Sequence, residues 1–251
     1  MTLYCDPNWQ SVLENQQFAT FEQIWDFPID YIDDPNLNRG GWSAVGCVNV
    51  FFEDKPVILF VKKQLNHTSR SFCHPIKGLS TFTTEFNAIR FLQAHGLTTP
   101  NVVFFGRRRV TEGQQAILVT EMLAGYVPLD RIEKSRLSLL HQRELLASVA
   151  QTVSKMHQLG IQHRALYAKH IFVKPQEHLF DIALIDLEKS RRMLLPCLQG
   201  LTDLITLNYR IKGWNKSARY YFYKMYLGGV QLNLWNRMLC SYIKFKSAKK
   251  S

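Results

Sequence analysis

The chain has 251 residues, 31 Lys and Arg against 20 Asp and Glu, with 46% hydrophobic and 12% aromatic residues. That length and apolar fraction exclude a disordered or fibrous chain and allow one large domain or two small lobes. Five cysteines (Cys5, Cys47, Cys73, Cys197, Cys240) are odd in number and never spaced as CxxC. This excludes a disulfide framework or structural zinc as the organising principle and predicts scattered buried thiols in a reducing compartment.

The opening residues 1–38 carry seven acids and no Lys or Arg. Their aromatics Trp9, Phe18, Phe21, Trp25 and Phe27 have helical spacing in places, so the segment reads as an acidic lead-in. It has neither the positive start nor the apolar stretch of a signal peptide. No apolar run in the chain approaches the roughly 18 residues of a membrane span, and a cytoplasmic protein is expected.

From Gly41 the pattern changes. Val45–Phe52 and Pro56–Lys63 alternate as strands about a turn at Glu53-Asp54-Lys55. Thr83–His95 has helical periodicity and stops at Gly96. Val102–Phe105 and Ala116–Glu121 read as two further strands around Glu112-Gly113. Leu137–Leu159 is a long amphipathic helix closing at Gly160. Two short apolar strands, Ile171–Val173 and Ile182–Ile185, follow about a polar turn at 175–178, and beyond Ser190 the periodicity is helical. The expected class is α+β: a small antiparallel β-lobe over 39–123 after the lead-in, then a larger helical lobe over 124–251, crossing at Leu123–Pro128.

Charge follows the same division. Residues 39–203 hold 21 bases and 13 acids, and residues 204–251 hold ten bases and no acid. A segment so one-sided faces either solvent or something anionic: nucleic acid, an acidic membrane surface, or a phosphorylated substrate.

Five features carry chemistry. Gly41-Trp42-Ser43-Ala44-Val45-Gly46-Cys47-Val48 approximates a phosphate-cradling glycine loop, with Ser43 where a second glycine would stand. Lys62 closes an apolar strand, where a cation is costly unless it meets an anion; Lys63 points to the other face by strand alternation. Glu85 opens the next helix, as a dipole partner or as the ion-pair partner of Lys62. His163-Arg164-Ala165-Leu166-Tyr167-Ala168-Lys169-His170 follows the long helix. Asp186 ends the last short strand, so that His170 and Asp186 are expected at one mouth, where a metal–phosphate complex would sit. Each feature alone has a bland reading: a hairpin glycine, an edge charge, a helix-start acid or a turn residue. Their order is what distinguishes them.

That order resembles the protein-kinase-like fold, and more specifically the lipopolysaccharide kinase (Kdo/WaaP) family in its InaA-like branch, over about residues 38–230. The resemblance rests on Arg39-Gly40-Gly41-Trp42-Ser43, Val61-Lys62-Lys63-Gln64, Thr84-Glu85-Phe86, Leu166–Phe172, Ile185-Asp186-Leu187-Glu188 and Arg219–Tyr223. It implies a bilobal fold and ATP with Mg²⁺. Gly41, Ser43 and Gly46 would then cover the phosphates, Lys62 would grip them while paired with Glu85, and Glu121 to Leu123 would form the adenine hinge. His163 and Arg164 fall in the catalytic loop, Asp186 and His170 would hold metal, and Asp203 would brace the loop from below. The implied acceptor is a glycolipid or core sugar, at the cytoplasmic face of an anionic membrane. Nucleic acid is not the expected partner, since no reading motif accompanies the basic tail.

One departure divides the functional readings. The third residue of the catalytic-loop His-Arg-Asp pattern is Ala165, so the carboxylate that would accept a substrate proton is missing. An ATP-dependent kinase working by positioning and charge, and a pseudokinase acting as a nucleotide-binding or stress-linked interaction module, are both open at this point.

Overall fold

A computed structural model of the chain describes every residue except 33, 38–39, 72–73, 177–178, 194–199, 212, 230–233 and 249–251. Arg39, Cys73, His178 and Cys197 therefore lie outside the described residues. Two units are distinguished, residues 1–91 with 100–124 and residues 92–99 with 125–251.

The first unit runs β1 (Thr2–Cys5), α1 (Gln10–Asn15), α2 (Phe21–Asp26), β2 (Asp30–Tyr31), β3 (Trp42–Phe52), β4 (Lys55–Leu65), β5 (Thr68–Ser71), β6 (His74–Ser80), α3 (Thr81–Ala94), β7 (Val102–Val110) and β8 (Gly113–Glu121). An antiparallel sheet has the strand order β1-β7-β8-β4-β3-β2. The β3–β4 turn is two residues, Glu53 and Asp54, both at positive φ (47° and 61°). That is the backbone hand that matches strand twist, reached here without the usual glycine.

The acidic opening is part of this unit's core. Trp9, Leu13, Phe18, Phe21 and Ile24 are buried against Val50, Leu59, Val61, Val103, Phe104, Ile117 and Val119 of the sheet. Glu14, Glu22 and Asp26 stay exposed, so these charges mark the outer face of helices whose inner face is apolar. Thr20 caps α2 through a reciprocal capping box with Gln23. The expectation of buried thiols fails at Cys47, which is exposed on β3. The β5–β6 hairpin was not anticipated: Pro75 and a run of small polar residues break the alternation that marks a strand.

Lys63 closes the other end of α2. It is 3% exposed, and its Nζ donates to the carbonyls of Trp25 (2.8 Å) and Phe27 (2.7 Å). A cation there satisfies orphan carbonyls at the helix C-terminus. Burial pushes its pKa down to about 8 from the ordinary 10.5, against a smaller opposing pull from Asp26. Between those two values the unfolded chain holds a proton that the folded chain has released, so this lysine makes stability rise with pH across the window. Urea melts between pH 8 and 10 should show a smaller rise for Lys63→Met than for wild type; equal slopes would refute the assignment.

The second unit contains β9 (Val127–Pro128), α4 (Leu139–Gln158), β10 (Ile161–Gln162), β11 (Ile171–Pro175), β12 (Phe180–Leu184), β13 (Arg191–Arg192), α5 (Leu201–Arg210), α6 (Lys216–Tyr226) and α7 (Leu234–Ala248). Ser138 caps α4 by accepting from the His141 N–H. Leu145, Leu146, Val149, Ala150, Val153 and Met156 form its buried stripe at helical spacing. β9, β11 and β12 make a small antiparallel sheet, and α6 packs on α4 while α7 packs on α5. Class and element order thus match an α+β kinase-like chain.

Candidate functional site

In the first unit Lys62 lies on β4, paired with Val45 of β3 and Leu118 of β8. Its Nζ is 2.6 Å from Oε1 of Glu85 on α3, and the Glu85 side chain is almost fully buried. A carboxylate at that depth is costly unless neutralised, so the ammonium and the helix fix each other's position. Lys62 keeps part of its surface exposed and can present charge to an anion from a held geometry. Alternation sends neighbouring Lys63 to the α2 side, so only one of the adjacent lysines is placed for this task.

The glycine segment needs correction. Ser43 and Gly46 are not in a loop: both lie within β3, opposite Gln64 and Val61 of β4. The Ser43 main chain exchanges both hydrogen bonds with Asn36 (2.8 and 3.1 Å), so its N–H is not offered to a phosphate. Gly46 lies opposite Tyr31 of β2, and a Cβ there would come within 2.0 Å of Ile29 Cγ2 and 2.7 Å of the Asp30 carbonyl. Its smallness admits the edge strand. Gly41 precedes β3, with a Cβ position 2.0 Å from the Leu65 carbonyl. Gly40, beside it in the chain, stands at φ 76°, so this pair of glycines serves the close entry into β3.

Glu121 is also tied down. Its carboxylate accepts from the Trp9 indole N–H (2.6 Å) and Asn101 Nδ2 (3.1 Å), and its N–H donates to the Asn101 carbonyl. The Met122 N–H goes to the Ile58 carbonyl. Directly after Met122 and Leu123 the chain turns at Ala124 and Gly125, the latter at φ 79°.

In the second unit one carboxylate organises the loop. Asp203, on α5 and fully buried, accepts the N–H groups of His163 and Arg164, each at 2.7 Å, and His157 Nε2 at 3.1 Å. Arg164 stands at φ 64°, a left-handed conformation held by that bond. Behind it His157 Nδ1 accepts from the Tyr226 hydroxyl (2.9 Å), whose pKa burial pushes up to about 12 with help from the Asp203 charge. Gly200 makes room, since a Cβ would fall 2.3 Å from that hydroxyl.

His163 is fully buried, with Nε2 on the Ile185 carbonyl (3.0 Å) and Nδ1 receiving the Ala165 N–H (3.3 Å). Both nitrogens are spent and burial pushes its pKa down, so the imidazole ties the loop to residue 185 and is not placed to take a substrate proton. Arg164 is exposed at the loop's bend. Ala165 is 1% exposed, so the position that lacks the carboxylate faces inward.

His170 and Asp186 do meet. His170 Nδ1 faces the Ala165 carbonyl at 2.8 Å, which requires its proton there. Its Nε2 lies 3.2 Å from Asp186 Oδ2. Burial pushes the His170 pKa down, despite the opposing pull of Asp186, so the neutral ring directs a lone pair at a carboxylate oxygen. Two acceptors so placed are reconciled by a shared proton or a shared cation. Among the described residues no cluster of three or more metal-ligating side chains exists, so this pair is not an all-protein metal cage. One carboxylate with one imidazole fits a divalent cation that takes its remaining ligands from phosphate and water. Asp186 itself sits at φ 59°, ψ 51°, a conformation that Asp tolerates better than most residues.

The sequence profile of the lipopolysaccharide kinase (Kdo/WaaP) family matches residues 22–226. Protein InaA of Escherichia coli (strain K12) is 31% identical over 182 residues, covering 71% of this chain and 82% of that protein. The lipopolysaccharide core heptose(I) kinase WaaP of Pseudomonas aeruginosa is 31% identical over 120 residues, 43% of each chain. A solved structure described as WaaP in complex with acyl carrier protein superposes with a TM-score of 0.73 at 22% identity, over 99% of both chains.

Proposed function

Since the chain belongs to the lipopolysaccharide kinase (Kdo/WaaP) family, we propose that it is an ATP- and Mg²⁺-dependent kinase whose acceptor is a hydroxyl of a lipopolysaccharide core sugar or related glycolipid. The observation that carries this reading is the pair of preorganised charge sites: Lys62 held by Glu85 at 2.6 Å, and Asp186 facing His170 at 3.2 Å. Neither arrangement is needed to fold a strand end or a turn. Both are what phosphoryl transfer asks of a protein, which contributes chiefly position and charge.

In this reading Lys62 grips nucleotide phosphate oxygens, with Glu85 holding its ammonium in place. The Leu123 main chain meets the base. Asp186 and His170 hold the metal ion, which when bound neutralises charge on the phosphates. Asp203 keeps the 163–165 turn in its strained shape, and His163 keeps that turn joined to residue 185. Transfer forms a bond from the acceptor oxygen to the γ-phosphorus and breaks the bond to the β-phosphate oxygen. With no carboxylate at position 165, the hydroxyl proton leaves to an oxygen of the transferred phosphoryl group or to water. A loose transition state asks little of a base, whose absence costs about 10²–10⁴-fold in rate.

Ala165 is the specific observation favouring a second reading, a pseudokinase that binds nucleotide and works as an interaction module. The two separate in one experiment. Purified protein is incubated with MgATP and a core glycolipid bearing Kdo and heptose, and the glycolipid is weighed by mass spectrometry. Added phosphate supports the kinase. Nucleotide binding without added phosphate, on acceptors of either sugar, supports the second reading and overturns the first.

A further inference from the structure

The C-terminal helix α7 buries one side and offers the other. Ile243 and Ser247 are buried, whereas Met238, Tyr242 and Phe245 are 58%, 42% and 54% exposed. At about 100° per residue those three fall within an arc of about 60°, opposite the buried side. Arg237 and Lys244 flank this stripe on one edge and Lys246 on the other, with the Lys246 ammonium 5.6 Å from the Tyr242 ring centre. An apolar stripe bordered by cations on both edges is the pattern of a helix lying in a membrane interface.

A cavity of about 450 Å³ adjoins the Arg237 and Lys244 edge, lined by Lys216, Arg219, Tyr220, Tyr223, Ser241 and Lys244 among others. Arg219 is fixed there by neutral acceptors: the Asn208 main-chain and side-chain oxygens, the Trp214 carbonyl (2.9 Å) and the Ile211 carbonyl (3.1 Å). The sequence from Leu204 onward contains ten bases and no acid. The segment supplies no counter-charge of its own for this surface. Nucleic acid would satisfy the cations and stack on Tyr242 and Phe245 but gives the aliphatic Met238 no partner, whereas an anionic bilayer takes up the cations and the whole stripe.

We propose that the outer face of α7 docks on an anionic lipid bilayer, Met238, Tyr242 and Phe245 entering the headgroup boundary while Lys216, Lys244 and Arg219 receive lipid phosphate at the cavity mouth. The docking deepens the kinase reading by naming the surface on which a lipid-borne acceptor is met, although it uses none of the residues assigned to nucleotide. Among the described residues no helix is long and apolar enough to cross a membrane, so the contact is one of lying on the bilayer.

The test is sedimentation of the full chain with vesicles of phosphatidylcholine, alone or with a third phosphatidylglycerol. The wild type should bind the mixed vesicles at low salt, release as salt rises, and bind pure phosphatidylcholine weakly. Met238→Glu with Phe245→Glu, and separately Lys216→Ser with Lys244→Ser, should each lower partitioning about tenfold or more with the melting temperature unchanged. Wild type that ignores the mixed vesicles overturns the proposal. Loss in the lysine pair alone overturns insertion of the stripe. A MgATP-induced rise in melting temperature, measured on the same proteins, reports on the kinase reading separately and should survive in both variants.

Discussion

Saturating MgATP should raise the melting temperature of the wild-type chain by about 5–10 °C, and Asp186→Asn should remove most of that rise. A ligand at about 100 times its Kd adds roughly 2.7 kcal/mol, and a domain of this size moves about 2–4 °C per kcal/mol. Asn is the informative replacement because it accepts the left-handed backbone at φ 59° nearly as well as Asp and removes only the charge. Without nucleotide the two proteins should melt within about 1 kcal/mol of each other, because the side chain is 32% exposed and an Asn amide can still donate to the His170 Nε2 that the carboxylate faces. Equal shifts in both proteins would refute the metal role of Asp186, and no shift in either would remove the ground for a kinase. Lys62→Met is a less selective probe. It also strips the ammonium from the buried Glu85 carboxylate, a loss of about 3–5 kcal/mol before any nucleotide is added.

Asp203→Ala should destabilise the chain by about 3–5 kcal/mol. Three donors, the His163 and Arg164 N–H groups and His157 Nε2, would lose their acceptor in a fully buried position. Arg164 would also lose the bond that holds its left-handed backbone. Urea unfolding measures the loss directly. Asp203→Asn, which keeps one carbonyl acceptor, should recover part of it; a loss below about 1 kcal/mol for the alanine variant would show that the carboxylate carries little of the loop.

How much of this was legible in the sequence depends on whether a residue's role is local. Lys62, Glu85, His170 and Asp186 could be found because each lies in or directly beside an element that periodicity marks, and their order along the chain narrows what they can be. The brace at Asp203 was legible only through the family pattern, because nothing near residue 203 says that a loop 40 residues earlier needs an acceptor. Gly46 was misread for a related reason. A glycine that admits an edge strand and one that admits a phosphate look alike until the pairing with Tyr31 is known. Glu121 was expected at a hinge through its backbone groups, and nothing local told that its side chain would meet an indole 112 residues earlier. In the opening segment the spacing of the aromatics marked a lead-in that packs, but not which sheet residues its buried stripe of five aromatic and aliphatic side chains would meet. Long-range demands of this kind are set by tertiary packing and override local pattern.

The opening strand has a consequence for how the protein is made. Thr2 of β1 is joined to Arg107 of β7, 105 residues away in the chain, and Trp9 waits for Glu121. At about 5–20 residues per second of synthesis, β1 is made roughly 5–20 s before the strand it pairs with. During that interval its apolar side chains have only chaperones or one another to cover them. The exposed acids of α1 and α2 keep the nascent segment soluble until β7 and β8 arrive, and a chain begun at Gly40 would instead present the bare sheet face of Val50, Leu59 and Val61 to water.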